Sequence, residues 1–164
     1  MPTPVEGILA ALSSLTDIES AVDKIKGVIT SLGSIVDPPI TALLQIKNDT
    51  DEELYKLSDE HSSGGWLYLP TGTIPPRTEL ICCSHDTGLL TGAIGDMVYA
   101  NADFINDPNK ERGFWLTIKW GVPRGGSNYS DLNISGGDAG NYFVSHQFTS
   151  GNNATMTYEI HDSP

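Results

Sequence analysis

The sequence predicts a mainly β protein, a β-sandwich preceded by a long N-terminal amphipathic α-helix. Three observations predict it. An apolar heptad runs through the first 36 positions. The helical period stops at Asp37-Pro38-Pro39. Beyond it, apolar residues recur with a period of two, in short runs separated by Gly, Pro, Asn and Asp clusters.

The helix is read from its stripe. Ile8, Leu15, Val22, Ile29 and Val36 are spaced by seven, and Ala11, Ile18, Ile25 and Leu32 follow the first four of them by three. That spacing gathers them on one face of a helix. Small and polar residues, including Thr16, Asp17, Ser20, Asp23 and Lys24, fill the outward positions. Thr3-Pro4-Val5-Glu6 has the form of a capping box with proline at the first helical position. Asp37-Pro38-Pro39 cannot continue a helix. Gly27 and Gly33 weaken the second half by about 1 kcal/mol each relative to alanine. At 1.5 Å per residue the helix would run roughly 45 Å. Its charges interrupt it too often for a spanning segment by itself.

The strands come next. Ile40–Lys47, Trp66–Leu69, Glu79–Cys83, Ile94–Ala100, Phe114–Lys119, Tyr129–Ile134, Tyr142–Phe148 and Thr155–Ile160 read as strands. Ser62–Gly65, Pro70–Pro76, Asp107–Gly113 and Pro123–Asn128 read as turns or loops. The organisation expected is a helical segment over 1–39, packed on the same domain, and a β-sandwich over 40–164.

Charge and cysteine usage exclude several functions. The chain has 164 residues, with 21 acidic against 9 basic and a formal charge of −12. Phosphate backbones and anionic lipid surfaces would repel it, so no nucleic-acid partner is expected. Cys82 and Cys83 are adjacent and are the only cysteines. Neighbouring cysteines rarely bridge without strain, so two free thiols are expected and no disulfide framework. No basic segment precedes the apolar start, so no secretory signal is expected.

Catalytic groupings are missing as well. His61, His85, His146 and His161 have no metal-ligand spacing, and no nucleophile motif or phosphate loop is present. The expectation is a protein that is not an enzyme, with no cofactor and no metal. One stretch stands out: Trp115, then Trp120-Gly121-Val122-Pro123-Arg124-Gly125-Gly126-Ser127-Asn128-Tyr129-Ser130. Aromatic rings at a strand end can form a cup for choline or a sugar face. Backbone amides of a Gly-Gly turn beside an arginine can hold a phosphate. Equally, Trp115 and Trp120 fit a core, and Gly125-Gly126 a plain hairpin turn.

The order of these pieces resembles a known family. The capped helix is followed by Ile74-Pro75-Pro76, by Thr91-Gly92-Ala93-Ile94-Gly95 and Tyr99, by Val122-Pro123, Tyr129-Ser130 and Asn133-Ile134, and by Thr149–Ala154 with Tyr158-Glu159-Ile160. The chain resembles the actinoporins, α-pore-forming cytolysins. More distantly it is similar to aegerolysins and fruit-body lectins.

The resemblance implies a sandwich that binds phosphocholine headgroups, notably of sphingomyelin. It also implies an N-terminal helix that detaches, inserts and oligomerises as a cation-permeable pore. The headgroup residues it implies are Val122, Pro123 and Tyr129; Trp120 and Arg124 join the candidate set from the aromatic and Gly-Gly stretch, and Tyr142 stands in for the family's missing tyrosines. Val5, Ile8, Leu12, Leu15, Ile18, Val22, Ile25, Ile29, Leu32 and Val36 would insert, with Asp17, Ser20, Asp23 and Lys24 lining the pore.

A target-membrane lipid, or else a glycan or protein receptor, is the implied partner. The chain would be monomeric in solution and oligomeric on membranes. It would be soluble, secreted or released by a route without a visible signal peptide, and at the target-cell membrane when active. The alternative is a non-lytic lipid- or carbohydrate-binding sandwich. The heptad stripe also fits a coiled-coil seam, or a helix seated on its own sandwich.

Overall fold

The computed structural model describes residues 40–164, together with Asp23 and Gly27, which are helical and exposed. The rest of the expected helix lies outside the described residues, including its whole apolar stripe and Asp17, Ser20 and Lys24. Among the described residues no helix is long and apolar enough to cross a membrane.

The described body is mainly β, in two five-stranded sheets. Its strands are β1 (Thr41–Asp49), β2 (Leu54–Ser63), β3 (Gly65–Tyr68), β4 (Thr73–Ile74), β5 (Thr78–His85), β6 (Ala93–Asn101), β7 (Trp115–Val122), β8 (Tyr129–Ser135), β9 (Tyr142–Phe148) and β10 (Asn153–Asp162). One sheet has the order β3-β5-β1-β10-β9 and the other β4-β2-β6-β7-β8. β1 and β10 pair in parallel at the centre of the first sheet, and the other pairings are antiparallel.

Period-two patterning builds the core. On β6, Ala93, Gly95, Met97 and Tyr99 point inward while Ile94, Asp96 and Val98 are half-exposed. On β7, Leu116, Ile118, Trp120 and Val122 do the same. Leu44, Ile46, Met156, Tyr158 and Ile160 meet them from the other sheet. Such alternation places one face of each sheet on the other. In the first sheet the outer face is covered too, since Leu43 on β1 and Ile81 and Cys83 on β5 are buried although they lie outside the core between the sheets.

All eight expected strands form, with ends moved by a few residues. Two strands were not legible. β2 has the sequence LYKLSDEHSS and is largely polar. Its register slips between Lys56 and Ser58 and again between His61 and Ser63. Each bulge flips the face of the residues that follow, so the alternation that marks a strand is broken twice. β4 has two residues inside an expected loop.

A short helix, α1 (Ala102–Asn106), follows β6. It is capped by the Asn101 side chain, which accepts a hydrogen bond from the Phe104 amide at 3.2 Å. Cys82 and Cys83 are buried, free thiols. Burial pushes both up, Cys83 to about 12, so neither is a reactive thiolate at neutral pH.

Trp120 is fully buried and pairs across the ladder with Gly95. Its ring sits 5.1 Å from Trp66 and 5.4 Å from His61. A Cβ on Gly95 would stand 2.5 Å from Trp120 Cζ2 and 2.3 Å from the Glu60 carbonyl oxygen. Gly95→Ala is therefore expected to destabilise the fold by about 1–3 kcal/mol through overpacking. Gly125→Ala, at a position with open space around it, is expected to stay within about 0.5 kcal/mol of the parent. Urea midpoints of the two variants check this.

Candidate functional site

Strand polarity brings four connections to one end of the sandwich. They are Gly64, residues 86–92, residues 123–128 and residues 149–152. The chain enters β1 at the same end, through Ile40.

Asp86 organises this end. It is 8% exposed. Its Oδ1 accepts from the Ile40 amide at 3.2 Å, and its own amide donates to the Ile40 carbonyl at 2.9 Å. Its Oδ2 accepts from Arg124 Nη2 at 2.5 Å. Arg124 Nε donates to the Thr91 carbonyl at 3.2 Å, and Nη1 takes part in neither bond. The β5–β6 connection, the β7–β8 connection and the start of β1 are thus joined through one carboxylate.

Two further contacts close the group. The Gly92 amide donates to Ser63 Oγ at 2.8 Å. Asn128 Nδ2 donates to the carbonyls of Thr149 and Gly151 at 3.1 and 2.8 Å, tying the β7–β8 and β9–β10 connections together.

Tyr129 opens β8 and is 46% exposed. It lies across Gly121 on β7, where a Cβ would stand 2.2 Å from Tyr129 Cε1. Only glycine leaves that bed for the ring. Pro123, Arg124 and Tyr129, three members of the sequence-derived headgroup set, therefore meet at one strand end.

The other three are placed differently. Val122 belongs to the same strand end, but its side chain is buried in the core. Trp120 is also buried, so it offers no ring to a ligand at the surface and supports the site from beneath. Its position on β7 was legible, but not which face of the sheet would be covered. Tyr142 begins β9 at the opposite end, with its ring centroid 4.4 Å from that of Phe114. The eight residues of β7 separate the two ends, roughly 23 Å at strand rise. Burial pushes the Tyr142 phenol up to about 12.

The charge of the body is divided between its ends. Among the described residues, the four connections at the Ile40 end carry one acid and one base, Asp86 and Arg124, and these pair with each other. The connections at the far end carry Asp51, Glu52, Glu53, Asp103, Asp107, Glu111 and Asp138 against Arg77, Lys110 and Arg112. There Arg77 holds Asp49, Asp51 and Asp162 and locks the last strand to β1. Among the described residues no cluster of His, Cys, Asp or Glu is arranged to hold a metal.

Comparison with solved structures identifies the architecture. The fold is shared with the lipid-binding protein Nakanori. That crystal structure superposes with a TM-score of 0.66 and 12% identity, over 98% of this chain and 89% of Nakanori. IP-1A from Alcaligenes faecalis is a second neighbour, with a TM-score of 0.57, 13% identity, and coverage of 76% of this chain and 92% of that one. No family model and no curated protein sequence matches the chain. The narrower likeness to actinoporins is carried by the sequence motifs alone.

Sequence reasoning missed Asp86 and the turn that follows it. Leu89 and Leu90, in the β5–β6 connection, are 92% and 89% exposed. The available signal was an apolar pair inside a segment, Asp86-Thr87-Gly88-Leu89-Leu90-Thr91-Gly92, otherwise made of turn residues.

Two outcomes are expected here. Arg124→Met leaves a nearly buried carboxylate without its partner. It is expected to lower stability by about 1–3 kcal/mol, less than a fully buried pair would lose because the guanidinium is partly exposed. The double variant with Asp86→Asn should recover part of that loss, which chemical denaturation would show. His61, packed edge-on to Trp66 at 4.7 Å and hydrogen-bonded to Ser84 at 2.9 Å, is held below its ordinary value of 6.5 by burial. The unfolded chain then binds the proton first, so this contribution is full above pH 6.5 and is lost as pH falls below it. Denaturation of the parent and of His61→Gln across pH 7.5 to 5 should show a shallower fall in the variant.

Proposed function

We propose that the protein is a lipid-binding β-sandwich that docks end-on to a membrane through Pro123, Arg124 and Tyr129. One observation carries this reading: among the described residues, the connections at the Ile40 end carry one acid and one base, paired to each other, in a body whose far end is acidic. A zwitterionic surface meets no repulsion there, whereas an anionic one faces the whole molecule's charge of −12. The shared fold with a lipid-binding protein supports the same reading.

The chemistry fits a phosphocholine headgroup. The exposed Tyr129 face suits a quaternary ammonium. Arg124 Nη1 and the amides of Gly125 and Gly126 suit a phosphate. No group in this description needs a metal, a cofactor or a catalytic step.

The finer reading is a cytolysin. In it the bound protein oligomerises and the apolar stripe from Ile8 to Val36 enters the bilayer as a cation-permeable pore. The heptad spacing favours it. A non-lytic lipid or sugar binder needs no such stripe.

Vesicle sedimentation and dye release test both levels. Binding to phosphatidylcholine vesicles with sphingomyelin is expected, and weaker binding when phosphatidylserine is added. Tyr129→Ala should weaken binding about 10-fold while leaving the thermal midpoint within a few degrees. Dye release by the full chain, absent without residues 1–36, is expected for the pore. Binding without release would leave a lipid module. Saturable sugar binding with no vesicle binding would put a lectin in its place.

A further inference from the structure

Leu89 and Leu90 are the two most exposed large hydrophobic side chains among the described residues. They are consecutive residues at the tip of a hydrogen-bonded turn. Thr91 Oγ1 accepts from the amides of Thr87 and Gly88 at 3.1 and 3.0 Å and donates to the Gly88 carbonyl at 2.8 Å. The Thr91 amide donates to the same carbonyl at 3.3 Å. The turn is therefore closed by its own hydrogen bonds, with the two leucines at its two central positions.

Two unfavourable features coincide at Leu90. Its φ of 70° is left-handed, a conformation in which turns usually carry glycine or asparagine. Its side chain is also left in water. A turn chosen only to join β5 to β6 would place a small or polar residue there. Strained backbone that presents an exposed apolar side chain points to a contact beyond the described residues.

The root of the turn fixes where that contact lies. The Thr91 carbonyl accepts from Arg124. A Cβ on Gly92 would stand 2.7 Å from the Val122 carbonyl oxygen and 3.1 Å from Pro123 Cα, so the two connections touch along their backbones. The leucines thus project from the same end that holds Pro123, Arg124 and Tyr129.

Partner chemistry follows from the surroundings. A protein partner would usually be met by a broad apolar patch with a polar rim. Here two aliphatic side chains stand on a narrow tip, beside described connections whose one acid and one base pair with each other. That combination suits the boundary between headgroups and acyl chains, where an aliphatic pair can enter without carrying charge with it.

We propose that the Gly88–Thr91 turn is a membrane anchor, with Leu89 and Leu90 inserted among the acyl chains while the Pro123–Tyr129 strand end meets the headgroups. This rests on the lipid-binding reading above. It adds a non-specific apolar contribution that is separate from headgroup recognition. Each leucine withdrawn from water should strengthen partitioning about 10-fold, and the pair about 100-fold. Salt should hardly change that part of the affinity.

Partitioning of the full chain onto phosphatidylcholine–sphingomyelin vesicles tests it, alongside binding of soluble phosphocholine. The double variant Leu89→Ser/Leu90→Ser is expected to partition about 100-fold more weakly and to keep the parent's affinity for soluble phosphocholine. Leu90→Gly is expected to partition about 10-fold more weakly and to melt at or above the parent temperature, because glycine accepts the left-handed backbone. A loss of binding together with undiminished stability cannot come from misfolding. Leu90→Trp should show blue-shifted emission on vesicles and quenching by lipids brominated on their acyl chains. Parent-like partitioning of the double variant, or an unshifted and unquenched tryptophan on bound protein, overturns the anchor while the lipid-binding reading stands. Failure of the parent to bind any of these vesicles overturns both.

Discussion

The Asp86 carboxylate is the point on which one end of the sandwich is assembled. It receives the amide of Ile40, the first residue of the β body, and the guanidinium of Arg124 from the β7–β8 connection. Arg124 in turn holds the Thr91 carbonyl, at the base of the β5–β6 turn. A nearly buried carboxylate is costly unless its oxygens are matched. Here both are matched, by groups from two distant parts of the chain. The requirement to satisfy one charge therefore brings the exposed turn, the proline–arginine strand end and the start of β1 into fixed relation.

That pairing has a second consequence. Because Arg124 is paired with Asp86, the described connections at the Ile40 end carry no net charge although the molecule is strongly acidic. At the opposite end a single arginine, Arg77, is shared among Asp49, Asp51 and Asp162, and further carboxylates cap and close the loops. Asp107, for example, accepts from the amides of Asn109, Glu111 and Arg112, which hold its carboxyl below the ordinary range. The same acidic composition thus does structural work at one end and is kept away from the other. A body built this way has a charge polarity along its strands.

Glycine positions show how the core and the surface are coupled. Gly95 admits the Trp120 ring from below, and Gly121 admits the Tyr129 ring from above. Both glycines sit in neighbouring strands near the same end. The buried tryptophan and the exposed tyrosine lie on opposite faces of the same ladder. Aromatic residues that look alike in a list, five positions apart on Trp115–Trp120 or nine on Trp120–Tyr129, end in different layers because the pleat alternates and the glycines make room.

The sequence by itself determined the class of the body and most of its strands. Period two, turn residues and the stop at Pro38-Pro39 are local signals, and β6 and β7 alternate over most of their length. It also placed Pro123, Arg124 and Tyr129 at one strand end, because they flank a single short turn. β2 escaped because its two bulges break the alternation that a linear pattern needs. Only the tertiary structure decided that Trp120 and Val122 face the core and that Tyr142 lies at the far end. The same holds for Asp86, which joins Ile40 to Arg124, residues 84 positions apart, and for the two leucines left in water beside them. Those outcomes depend on which sheet covers which face and on which charges meet across distant loops, and neither is written in any one stretch of the chain.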